Sequence, residues 1–74
     1  MYNKTPYEIA EEYLDPGKVR IVGIRLRGEE AFVLVRASLG DFSLQLLRDR
    51  NGSWAVAAEL DAKDYYDYEE KNSH

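Results

Sequence analysis

Residues 19–61 read VRIVGIRLRGEEAFVLVRASLGDFSLQLLRDRNGSWAVAAELD, and that stretch decides the fold. Four runs rich in aliphatic and aromatic residues stand out: VRIVGIRLR (19–27), AFVLVRAS (31–38), FSLQLLRD (42–49) and WAVAAEL (54–60). Short turns containing glycine separate them. Runs of this kind at close, regular spacing predict one antiparallel meander.

The turns set the expected register. A two-residue Gly28-Glu29 loop of type II′ pairs Arg27 with Glu30, Leu26 with Ala31, Ile24 with Val33 and Val22 with Val35. The connection Ser38–Asp41 closes on Ala37 opposite Phe42, with Val35 facing Leu44 and Val33 facing Leu46. A two-residue Asn51-Gly52 turn would leave Trp54 and Val56 on the opposite face from the other aliphatics. A three-residue loop, Arg50-Asn51-Gly52, with Gly52 left-handed in a bulge, instead pairs Leu46 with Val56 and Leu44 with Ala58. A one-residue slip flips a whole strand, so the three-residue loop is the expectation.

This register puts Val22, Ile24, Leu26, Ala31, Val33, Val35, Phe42, Leu44, Leu46, Trp54, Val56, Ala58 and Leu60 on a core face. The outer face carries Ile21, Arg25, Phe32, Leu34, Arg36, Gln45, Leu47, Ala55 and Ala57. A solvated sheet face is ordinarily polar, and this one is half apolar. Arg25 beside Phe32 suggests a cation–π contact there.

Upstream, Thr5-Pro6-Tyr7-Glu8 is a helix start: a capping threonine, a proline at the first helical position and a glutamate that closes the capping box. Tyr7, Ile9, Ala10, Tyr13 and Leu14 form a stripe at helical spacing, and Asp15-Pro16-Gly17 ends the helix. A helix so short must dock on the sheet. The expected fold is therefore α+β, one N-terminal helix packed on a four-stranded antiparallel meander, with residues 1–61 as the domain. Residues 62–74 form an acidic, tyrosine-rich C-terminal tail. Two readings of it stay open: a frayed terminus, or a segment in which Tyr65, Tyr66 or Tyr68 folds back over the apolar outer face, with its acids near Arg25 and Arg36.

At 74 residues the chain makes one small domain, and without cysteine no disulfide or thiolate metal site reinforces it. No signal peptide or membrane-spanning run is evident, so the expectation is a cytoplasmic protein or a piece of a larger one. The net charge of −4 is segregated. Residues 1–17 set Lys4 against four acids for −3, and residues 18–50 set seven bases against four acids for +3. Residues 51–74 set two lysines against six acids for −4. The sheet is basic and both ends are acidic.

The residues with catalytic potential are few. The sole histidine is His74 and there is no cysteine, so Ser-His and Cys-His nucleophile systems cannot be assembled. No pair of carboxylates is placed to face across a cleft. Asp61, Asp64 and Asp67 lack the glycine-bearing turn and the ligand offsets of a calcium loop. No catalytic residue, metal site or cofactor is expected. Arg20, Arg25, Arg27, Arg36, Arg48 and Arg50 with Phe32 resemble a single-strand platform, but one outer aromatic and a negative total argue against nucleic acid.

The helix-then-meander order and the strands Ala31-Phe32-Val33-Leu34-Val35 and Gly52-Ser53-Trp54-Ala55-Val56 resemble the "A-x-V-x-V" and "G-x-W-x-V" strands of small NTF2-like (cystatin-like α+β) domains, over about residues 18–60. The resemblance implies a ligand pocket between helix and sheet and a habit of dimerising through sheet surfaces. The expected function is a non-enzymatic protein-interaction module, homodimeric through an outer face formed by Phe32, Leu34 and Leu47 with Arg25 and Arg36 at its rim. Two alternatives stand beside it. One is a small-ligand site lined by Tyr7, Tyr13 and Trp54. The other is an inhibitor or immunity-type protein acting through Tyr65, Tyr66 and Tyr68 of the tail.

Overall fold

In a computed structural model of the protein, which describes residues 3–71 and side chains as far as Asp67, the meander is flanked by a helix on each face. The order is α1 (Pro6–Tyr13), β1 (Val19–Arg27), β2 (Glu30–Ala37), β3 (Gly40–Arg48), β4 (Trp54–Asp61) and α2 (Ala62–Lys71). The strands form one antiparallel sheet in the order β1-β2-β3-β4. This is the α+β architecture expected, with a second helix where the sequence left the tail open. No helix among the described residues is long and apolar enough to cross a membrane.

Helix α1 begins as its residues dictate. The Thr5 side chain accepts from the Glu8 amide at 3.2 Å, and the Glu8 carboxylate accepts from the Thr5 amide at 2.9 Å, closing the capping box. The helix lies on β4 and β2 and buries Ala10 among Ala31, Val33, Val35, Leu44 and Leu46, with Ile9 and Leu14 alongside. Eight residues are too few to hold a helix alone, so this burial sustains it.

Three features of the register differ from the sequence expectation. In β1, Ile21 rather than Val22 faces Val35, because Val22 is an extra residue in a bulge. Ile21 thereby packs on the core and Val22 is exposed. Between β2 and β3 the turn holds only Ser38 and Leu39, so Ala37 faces Gly40, Val35 faces Phe42 and Val33 faces Leu44. That shift of two residues leaves every side chain on its predicted face.

The third difference has consequences. The loop after β3 is the three-residue one, with Gly52 at φ +85° and Leu46 opposite Val56. The Asp49 side chain holds it by accepting from the amides of Asn51 and Ser53 at 2.8 and 3.0 Å. Further along, the register slips between Gln45 and Leu46: Gln45 faces Ala58 and Leu44 faces Glu59. Ala57 is the extra residue. Ala58 and Leu60, predicted for the core face, therefore turn to the outer one, and Glu59 takes their place on the α1 side.

Glu59 finds a partner there. The Tyr13 hydroxyl donates to its carboxylate at 2.8 Å, and that bond holds the phenol above its ordinary pKa. Lys4, paired with Glu12, is likewise raised by the carboxylate beside it. A group whose folded pKa lies above its unfolded one contributes stability that is intact below the unfolded value and is lost as pH rises through the folded one. The melting temperature is thus expected to fall above about pH 10. Tyr13→Phe should make that fall shallower in melts followed by circular dichroism. An identical alkaline limb in the variant would contradict the assignment.

Candidate interaction face

Strand alternation and the two bulges together build the outer face. Arg25 stands opposite Phe32, which faces Gln45, which faces Ala58. One row along, Gly23 stands opposite Leu34, which faces Ser43, which the Ala57 bulge sets opposite Leu60. Without the slips, Ile21 would lie on this side and Leu60 on the other.

Helix α2 follows β4 with no intervening residue and turns back across this face to meet β3, β2 and β4. Tyr65 is its anchor: only 5% of it is exposed, and it forms one cluster with Phe32 and Leu34, flanked by Leu60 and Ala62. The Arg25 guanidinium lies over the Tyr65 ring, 4.0 Å from its centre. Arg25, for which a cation–π contact with Phe32 was expected, makes one with Tyr65 of the tail. Tyr66 meets Tyr65 edge to face, with ring centres 5.5 Å apart, and is half exposed. Tyr68 lies in α2 with its side chain outside the described residues.

The tip of Tyr65 ends on Gly23. A Cβ at that position would lie 2.3 Å from the Tyr65 hydroxyl oxygen and 3.0 Å from the ring carbon bearing it. Gly23 is a notch that admits the phenol. Gly23→Ala should therefore cost about 1–3 kcal/mol through overpacking. In a Tyr65→Phe background, where the atom nearest the new methyl is gone, part of that cost should be recovered. Chemical denaturation of the four chains of this cycle measures the coupling. Additive costs would mean that the two residues do not touch.

Of the predicted interface residues, Arg25, Phe32 and Leu34 converge beneath Tyr65. Leu47 and Arg36 mark opposite ends of the face. Leu47, opposite Glu30 and Ala55, is 47% exposed beyond the cover of α2. Arg36 pairs with Asp41 at 3.3 Å, an exposed ion pair that contributes little to stability. Sequence reasoning missed Gly23 and Leu60. The Ala57 bulge carries no glycine or proline, but Gly23 beside the Val22 bulge was a legible signal, as was the helical stripe of Ala62, Tyr65 and Tyr66 at i, i+3 and i+4 in the tail.

On the opposite face, Tyr7 and Glu11 of α1, Leu14 at its C-cap, and Val19 and Ile21 of β1 border a groove of about 230 Å³. Tyr13, bonded to Glu59, and Trp54, beneath the Arg48 guanidinium at 5.4 Å, do not line it. The three residues predicted for a ligand pocket are not brought together, and the groove is smaller than the ~300–1,000 Å³ usual for small-molecule sites. Comparisons with known protein families, curated proteins and solved structures found no match.

Proposed function

We propose that this chain is a small non-enzymatic protein–protein interaction module that works through the outer face of its sheet. One observation carries the reading: that face already holds an acidic, tyrosine-bearing helix. Phe32 and Leu34 form the apolar floor, Gly23 the notch and Arg25 the cationic wall around Tyr65. The basic sheet and the acidic tail are complementary in charge, which favours encounter and orientation between such partners. A homodimer made by pressing two bare outer faces together would require α2 to leave, since Phe32 and Leu34 are 7% and 5% exposed beneath it.

The test is binding in trans. In full-length Tyr65→Ala the floor is vacated, and a fluorescent peptide of residues 60–71 should bind it saturably in an anisotropy titration. Adding Arg25→Gln should weaken binding by roughly two- to five-fold, the worth of a cation–π contact near the surface. A folded Tyr65→Ala chain that leaves the peptide's anisotropy unchanged would sink the reading.

A further inference from the structure

We propose that the Tyr65 socket is also filled by a second copy of this chain: two molecules exchange α2, each seating its Tyr65 on the outer face of the other. The inference rests on the outer face being the interaction surface, and names the partner for it.

Three observations carry it. First, Tyr65 is seated by Gly23 and Arg25 of β1, Phe32 and Leu34 of β2 and Leu60 of β4, and these contacts are reproduced if the helix comes from a twin chain. Exchange of an identical element preserves the contacts and changes only the junction.

Second, the junction is abrupt. Asp61 is the last residue of β4 and Ala62 the first of α2. The Ser43 hydroxyl donates to the Asp61 carbonyl at 2.7 Å, pinning the chain up to that residue. No loop residue separates strand from helix, and hinges this short are where exchange of an element arises.

Third, the edges of the sheet are ill suited to self-pairing. The β1 edge carries Arg20, Arg25 and Arg27 without an acid and is broken by the Val22 bulge, and the β4 edge is broken by the Ala57 bulge. Like charge and bulges at edges oppose strand addition, so a second copy is directed to the faces. The exchanged dimer is two-fold symmetric and closed, with the same socket on both chains.

The experiment co-refolds isotope-labelled and unlabelled full-length protein at millimolar concentration. It isolates any dimer by size exclusion with light scattering, and records isotope-filtered NOEs. The expected result is a dimer with Tyr65–Leu34 contacts between differently labelled copies. Inserting Gly-Ser-Gly between Asp61 and Ala62 relaxes the junction, and should raise the dimer dissociation constant at least tenfold while Tyr65 stays on the face. A monomer at every concentration would overturn the exchange, as would a dimer whose Tyr65–Leu34 contacts all lie within one copy. A monomer whose Tyr65→Ala variant still captures the α2 peptide removes the exchange alone; failure of both removes the interaction reading with it.

Discussion

In the Tyr65→Ala variant, α2 comes off the sheet and the protein loses about 3–5 kcal/mol, the usual cost of truncating a buried aromatic side chain to alanine. Tyr65 is the one residue of α2 that is buried among those with described side chains. A ten-residue helix whose remaining residues are mostly charged does not persist in water by itself. The loss is bounded by the free energy of docking α2, because beyond that point the helix melts and the sheet remains. Phe32 and Leu34 then face solvent. Urea titration followed by Trp54 fluorescence and far-ultraviolet circular dichroism should show the loss, accompanied by dye binding to the bared face. A change below about 1 kcal/mol, the size of an ordinary surface substitution, would contradict the anchoring role.

Leu44→Ala is expected to cost about 3–4 kcal/mol, and Leu26→Ala less than about 1. Both leucines belong to the aliphatic pattern of the α1 face, and their surroundings differ. Leu44 is fully buried, with Val33 beside it on β2 and α1 above. Leu26, at the end of edge strand β1, is 62% exposed. Truncating the first leaves a cavity that the sheet cannot close; truncating the second removes surface already in water. For a domain of 74 residues, total stability is on the order of 4–11 kcal/mol, so Leu44→Ala takes a large share of it. Thermal melts of the two variants give the comparison directly, and equal shifts would mean that the α1 face is not the core.

That contrast shows what could be read in the chain and what could not. Helix α1, four strands, their order and the three-residue loop at Gly52 were legible, because caps, turn residues and alternation are local signals. The extra residue of each bulge was not. Val22 interrupts a run in which Ile21, Val22 and Ile24 are all aliphatic, so alternation cannot say which residue is extra. Ala55, Ala57 and Ala58 fit either face equally well, and only the packing of Leu60 under α2 and the bond of Glu59 to Tyr13 distinguish the phases. The outer face was legible as half apolar with arginines, which identified Arg25, Phe32 and Leu34. In its other half, Gly23 keeps its face in either register, and only Leu60 beneath Tyr65 depends on a one-residue slip, at Ala57, that no local signal marks.

Tyr65 on the outer face is what holds α2 to the sheet. The most direct test is a NOESY spectrum of the full-length protein, read for contacts of the Tyr65 ring. Strong NOEs to the Leu34 methyls and the Gly23 α-protons, with Arg25 side-chain protons shifted upfield by the ring above them, are the predicted result. A Tyr65 ring with the shifts of a solvent-exposed tyrosine and no NOE to Gly23 or Leu34 would contradict it.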